Sequence, residues 1–215
     1  MKDGVDEERC RRIARRLRIP SRLAAVEVSE MRDLGGKGYA KSLKRLEELA
    51  DDLLEGSFLE DPVHLLIGGN FGTGKTMSSA CLLRRAYLGI KSRGIHFFDA
   101  ERVPLFARAS EIGEYRFNRV VDDEDSEDYE QIRGRLFNCA FLVIDDIGRI
   151  ADYKGERDFL ERVIEHRYDE ELSTVLTCNL SDEELKSQSP RFYDFLGRFE
   201  EILMIGETRR ERNRG

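Results

Sequence analysis

At 215 residues the chain is long enough for one full α/β domain, with little left over for a second. Hydrophobic residues make up 40% and charged residues 37%, which suits a globular core beneath a densely charged, helix-rich surface. A net charge of −7 gives the molecule as a whole no attraction for polyanions, and its apolar runs are far too short to span a bilayer.

The first residues, Met1 to Glu8, lack the apolar stretch of a signal peptide. Cys10, Cys81, Cys139 and Cys178 form no CxxC pair, and His64, His96 and His166 are equally dispersed. That spacing argues against zinc and for a reducing cytoplasm, with the thiols serving as small core residues.

Glu7 to Arg18 reads as a basic helix ended by Pro20, with seven arginines between Arg9 and Arg22 and with Ile13 and Leu17 on one face. Residues 1–18 thus form a short basic helix ahead of a domain at 19–215. Three readings of these arginines stay open: binding phosphate backbones, docking into a partner groove through Ile13 and Leu17, or a solvated face. Membrane binding is disfavoured because the apolar face is narrow.

Gly35-Gly36-Lys37-Gly38 breaks the chain, and Leu43, Leu46, Leu49 and Leu53 then mark an amphipathic helix closed near Gly56. Strand and helix alternate from there. Strands are predicted at Val63–Ile67, Ile95–Phe98, Phe141–Ile144, Thr174–Cys178 and Ile202–Ile205. Helices are predicted from Lys75 to about Leu88, over Glu101–Ile112 and Glu156–Glu171, and over 181–187 and 190–197. Asp122 to Asp128, with six acidic residues in seven, reads as a solvated loop or a helix start. Short apolar strands separated by helices indicate an α/β fold: a five-stranded parallel sheet with helices on both faces.

Gly69-Asn70-Phe71-Gly72-Thr73-Gly74-Lys75-Thr76 satisfies G-x-x-x-x-G-K-[ST] between an apolar strand and a helix. Its glycines let successive N–H groups converge on phosphate oxygens, and the helix adds the positive end of its dipole. Lys75 is placed to reach the β- and γ-phosphates of ATP, and the Thr76 hydroxyl to ligate Mg²⁺. Further on, Phe141-Leu142-Val143-Ile144-Asp145-Asp146 is an apolar strand ending in two carboxylates. There Asp145 would hold Mg²⁺ and Asp146 would polarise the attacking water. Asp146 occupies a position where many such ATPases carry Glu, and its shorter arm favours slow hydrolysis.

With both motifs placed, residues 19 to 212 resemble the AAA+ helicase loaders of the DnaC/DnaI type and their transposition relatives of the IstB type. The resemblance starts at Ile19-Pro20-Ser21-Arg22 and runs through the phosphate loop and Leu142 to Gly148, where Asp-Asp-x-Gly is common in the family. Thr177-Cys178-Asn179 looks like the sensor 1 element, which implies that Asn179 orients the water or contacts the γ-phosphate. Gly197-Arg198-Phe199-Glu200 is similar to the family's Asp-Arg-Leu-x-Glu stretch, with Gly197 in place of Asp, and makes Arg198 the implied arginine finger. Gly206-Glu207-Thr208-Arg209-Arg210 is similar to Gly-x-Ser-Tyr-Arg and implies Arg210 as sensor 2, with Arg209 as the other register.

The resemblance further implies a P-loop NTPase of the AAA+ (ASCE) type with a minimal or absent lid. It also implies self-association into a spiral or ring, a grip on single-stranded DNA, and a replicative hexameric helicase as partner. Arg108, Tyr115, Arg116, Phe117 and Arg119 interleave arginine with aromatics between the second strand and the acidic strand, as a DNA-contacting segment does. The nearby acidic run opposes that role, and a charged helix surface is the competing reading. Two other functions stay open: an ATPase regulating transposition on duplex DNA, and a small-molecule kinase using the same loop.

Overall fold

The computed structural model describes residues 3–31, 38–97, 99–116, 125–149 and 155–206. Its frame is a five-stranded parallel sheet of β1 (His64–Gly68), β2 (Leu105–Arg108), β3 (Phe141–Asp145), β4 (Ser173–Thr177) and β5 (Glu200–Leu203). The strands lie in the order β2-β3-β4-β1-β5. The helices are α1 (Asp3–Leu17), α2 (Tyr39–Glu55), α3 (Lys75–Ser92), α4 (Ala109–Ile112), α5 (Asp125–Asn138), α6 (Glu156–Asp169), α7 (Asp182–Gln188) and α8 (Pro190–Leu196). Among the described residues no helix is long and apolar enough to cross a membrane.

Alternation along the strands explains why both sheet faces are covered. Leu65, Ile67, Phe141, Val143 and Val175 enter one core with α2, α3 and the buried Ala14 and Leu17 of α1. Leu66, Leu142, Ile144 and Leu176 enter a second core with α6 and α8. Strands buried on both sides favour continuous apolar sequence, and the buried hydroxyls of β4, Ser173, Thr174 and Thr177, are each hydrogen-bonded.

Helix α2 is amphipathic as its leucines require: Leu43, Leu46, Leu49 and Leu53 are all buried, each burial contributing about 2 kcal/mol. It ends at Gly56, whose φ of 80° lets its N–H reach back to the carbonyls of Asp52 and Leu53. Against it lies α3, where Gly89 has the Leu53 carbonyl directly over its Cα; a side chain there would strike backbone.

Three expected elements are corrected. The strand expected at Ile95–Phe98 is not found over Ile95–Phe97, where Ile95 and His96 are exposed and lie outside the sheet; Phe98 lies outside the described residues. The second strand is Leu105–Arg108, within the segment expected as a helix over 101–112. Pro104 offers no N–H and crowds the preceding turn, so that helix breaks; Val103 to Ala107 are buried, and Leu105 to Arg108 pair with β3 instead. The last strand lies two residues earlier than expected, at Glu200–Leu203, because Leu65 to Gly68 of β1 pair with those four residues. The acidic run proves to be in part a helix start, since α5 begins at Asp125.

His64 opens β1 against the rings of Tyr168 at 4.7 Å and Phe199 at 5.4 Å. Burial, and then the charge of Arg167, push its imidazole below the usual value of 6.5. The unfolded chain therefore takes up this proton at a higher pH than the folded one. Stability is full above the unfolded value and declines as pH falls through it. Thermal unfolding scans between about pH 7.5 and pH 5.5 should show a falling midpoint, and His64→Phe should flatten part of that fall.

Candidate functional site

The carboxyl ends of β1, β3 and β4 meet the amino end of α3, where parallel sheets of this kind place their ligands. The loop Gly69–Thr76 leaves β1 and returns as α3, with Gly69, Gly72 and Gly74 at φ 124°, 76° and 103°. At Gly69 a Cβ would fall on the Met204 carbonyl, so both the dihedral and the space demand glycine. Tyr39 of α2 braces the loop from behind, its hydroxyl donating to the buried Thr73 carbonyl at 2.6 Å.

Lys75 is buried and donates from Nζ to the carbonyls of Gly69 at 2.6 Å and Asn70 at 2.5 Å. Among the described residues it has no carboxylate within ion-pair distance. Burial pulls its ammonium down to about 8, against the upward pull of Cys178, Asp146 and Asp145. A buried cation held only by carbonyl dipoles is under-compensated, and an anion in the loop would supply the missing charge.

Across from it, the Asp145 carboxylate is the hub of a hydrogen-bonded chain. Thr76 Oγ1 and Thr177 Oγ1 each donate to Asp145 Oδ1 at 2.8 Å. The Asp146 amide donates to Thr177 Oγ1 at 2.8 Å, and Asn179 Nδ2 donates to Asp146 Oδ1 at 2.7 Å. Burial raises the Asp145 pKa, and the two threonine hydroxyls pull it back. Asp146 holds φ at 62°, unusual for a residue with a side chain; the hydrogen bonds on its amide and carboxylate fix that conformation.

These groups line a cleft of about 710 Å³. It contains Phe71, Gly72, Gly74, Lys75 and Thr76 of the loop together with Asp145, Asp146 and Asn179. The Thr76 hydroxyl and the Asp145 carboxylate are hard oxygen donors side by side, the set that Mg²⁺ prefers.

Arg198 does not line this cleft. It is exposed, with its guanidinium 5.6 Å from the Tyr168 ring centre and 5.1 Å from that of Phe195. Arg108 does line it, next to Asp145 in register across β2 and β3 and paired with Glu111 at 3.2 Å. Tyr115 lies 5.0 Å from the Tyr129 ring, and Arg116 closes a short 3-10 turn, Gly113–Arg116. Arg209, Arg210, Phe117 and Arg119, and the Arg116 side chain, lie outside the described residues.

Sequence reasoning missed Thr177, Tyr39 and the stretch Arg22, Leu23 and Val26, which forms another wall of the cleft. Thr177 carried a signal: it ends an apolar strand two residues before Asn179. Arg22 belongs to the Ile-Pro-x-Arg entry, but nothing in that tetrapeptide says that it faces the loop.

A phosphate loop, two carboxylates one strand apart from it, and β4 interposed between them with Asn179 two residues past its end define a P-loop NTPase of the AAA+ type. The chain belongs to the family described as IstB-like ATP binding protein, which matches residues 2–189. Its fold is similar to that of the DnaC helicase loader, with a TM-score of 0.60 and 16% identity over 86% of this chain and 99% of that one. DnaI is similar at a TM-score of 0.58 and 20% identity, over 86% of this chain and 93% of that one. AMPPCP-bound DnaA from Aquifex aeolicus is similar at 0.53 and 17% identity, over 80% of this chain and 47% of the longer DnaA chain. No curated protein matches the sequence.

Thr177 is buried and both donates and accepts within this chain of bonds. Thr177→Val keeps the shape and removes both bonds, taking one donor from the Asp145 carboxylate and the Thr177 acceptor from the Asp146 amide. Urea denaturation should show a loss of about 2 kcal/mol.

Proposed function

We propose that this chain is an ATP-hydrolysing switch that loads a replicative hexameric helicase onto single-stranded DNA. The observation that carries the reading is the hydrogen-bonded chain Thr76–Asp145–Thr177–Asp146–Asn179 facing a buried, under-compensated Lys75. It supplies an anion site, an oxygen pair for a divalent cation, and a carboxylate beside an amide where a water would be activated. The sheet that bears it is the one shared with DnaC and DnaI.

Gly69 to Thr76 hold the triphosphate, with Lys75 exchanging the carbonyls of Gly69 and Asn70 for β- and γ-phosphate oxygens. Thr76 and Asp145 are the residues that hold Mg²⁺, which when bound neutralises charge on the phosphates. Asp146 accepts the proton of the attacking water as its oxygen bonds to the γ-phosphorus and the bond to ADP breaks; Asn179 keeps that carboxylate oriented.

Self-association completes the site. Arg198 stands outside its own cleft, propped on two rings, as an arginine that serves a neighbouring copy must. Arg210 is the sensor 2 of this reading. Tyr115, Arg116, Phe117 and Arg119 remain its DNA contacts, whereas the place of Arg108 beside Asp145 suits it to phosphate.

The family match favours a second reading, a regulator of transposition that assembles on duplex DNA with the same ATP site. Co-purification with a hexameric helicase, with and without ATP, separates the two. Loading requires an ATP-dependent complex and preference for single strands; no helicase association under either condition, with preference for duplex, would transfer the assignment to transposition.

Three substitutions test the chemistry. Lys75→Ala should weaken ATP binding by at least about tenfold. Asp146→Asn should bind normally while hydrolysis falls roughly a hundredfold. Arg198→Ala should leave binding intact and lower phosphate release only at concentrations where copies assemble. Unchanged turnover in assembled Arg198→Ala would remove it from the site.

A further inference from the structure

The cleft has a wall that neither the phosphate loop nor the carboxylates account for. Leu23 and Val26, with Met77 of α3, give it an apolar side, and Arg22 stands at its edge. With a triphosphate anchored at Lys75 and Thr76, and the carboxylates facing the γ-phosphate, this side offers apolar cover to the flat face of a nucleobase.

Yet the segment that supplies this wall has almost no regular structure of its own. Between Pro20 and Met31 there are only two single-turn 3-10 helices, Ser21–Leu23 and Val28–Glu30. It is α3 that holds the segment in place. Arg84 is 2% exposed, and it donates from Nη1 to the Ala24 carbonyl at 2.5 Å and from Nη2 to the Val26 carbonyl at 2.8 Å. The same guanidinium pairs with the Glu27 carboxylate.

Arg85 takes the other Glu27 oxygen at 2.8 Å, and Cys81 Sγ donates to that oxygen at 3.4 Å. Met31 ends the segment against Gly74 and accepts from the Ser78 hydroxyl at 3.3 Å. A guanidinium buried this deeply is tolerable only while its acceptors stay in place, so the wall can shift only by leaving a buried charge unpaired.

We propose that Arg84 is a positioning residue for the nucleobase. From the helix whose first residues take the phosphates, it fixes Ala24, Val26 and Glu27, and thereby sets Leu23 and Val26 at the distance a nucleoside needs. The inference rests on the reading that this cleft takes ATP, and it predicts a division of labour: Arg84 acts on the base and not on the phosphates.

The test compares two ligands on the 215-residue chain by calorimetry: ATP with Mg²⁺, and inorganic tripolyphosphate with Mg²⁺, which has phosphates and no base. Arg84→Lys, Arg84→Met, Glu27→Gln and Leu23→Ser are measured beside the unaltered chain, with circular dichroism and thermal midpoints confirming the fold. Arg84→Lys and Arg84→Met should weaken ATP by about tenfold while tripolyphosphate stays within about twofold. Leu23→Ser should follow the same pattern, and Glu27→Gln, which keeps an acceptor, should fall between. If Arg84→Met does not fold, Arg84→Lys and Glu27→Gln decide.

Equal losses for both ligands, or unchanged ATP affinity in folded variants, would overturn the positioning role. If the unaltered chain binds tripolyphosphate as tightly as ATP, there is no base wall. If it binds neither, the nucleotide reading itself fails.

Discussion

The Thr177 hydroxyl stands at the point where three strand ends have to agree. It donates to Asp145 on β3 and accepts from the amide of Asp146, while Asp145 also receives the Thr76 hydroxyl from the start of α3. Parallel strands in register deliver their last residues to one edge, and here the register pairs Ile144 with Leu176 and Ile67 with Thr177. A slip of one residue in β4 would turn Thr177 to the other face and leave Asp145 buried without its second donor. The hydrophobic alternation that builds the two cores is thus the same constraint that aims the carboxylates.

Much of this was legible in the sequence because the motifs are local. The phosphate loop needs its glycines at fixed offsets, and Gly69, Gly72 and Gly74 hold the positive dihedrals that such a loop requires. Asp145 and Asp146 follow a continuous apolar strand, and Asn179 follows another. What stayed hidden was non-local. The strand at Leu105–Arg108 contains only four residues behind a proline, and its pairing with β3 prevails over the helical spacing of the surrounding sequence. Ile95 and Phe97 have strand-like composition, yet the place beside β3 is taken by β2, whose residues Leu105 to Arg108 pair with it. Tyr39 could not be connected with Thr73, 34 residues away, by any periodicity.

The basic character of the amino-terminal region also divides on inspection of the fold. Helix α1 packs into the core through Ala14 and Leu17, with Ile13 against the same cluster. An apolar stripe that is used internally is not offered to a partner groove. Its arginines face outward, apart from the Arg16 carbonyl, which accepts from the buried Arg135 at 3.2 Å. The segment that follows, from Ser21 to Met31, is drawn onto α3 and becomes part of the cleft. Charge alone does not distinguish these two stretches; what separates them is where their apolar residues go, Ala14 and Leu17 into the core and Leu23 and Val26 to the cleft.

In the reading proposed above, α3 carries the consequences of nucleotide binding. Its first turn holds Lys75 and Thr76, its middle holds the wall segment through Arg84 and Arg85, and Gly89 brings it onto the backbone of α2. Lys75 has two sets of acceptors to choose between, the carbonyls of Gly69 and Asn70 or the oxygens of a phosphate. A ligand shifts such a balance only by the difference in its interaction with the two arrangements. That difference is large here because the ammonium is buried, where replacing a dipole with an anion counts for far more than it does in water. The energy available for switching is therefore set by binding, and slow hydrolysis by the short-armed Asp146 would serve to time the return rather than to drive the change.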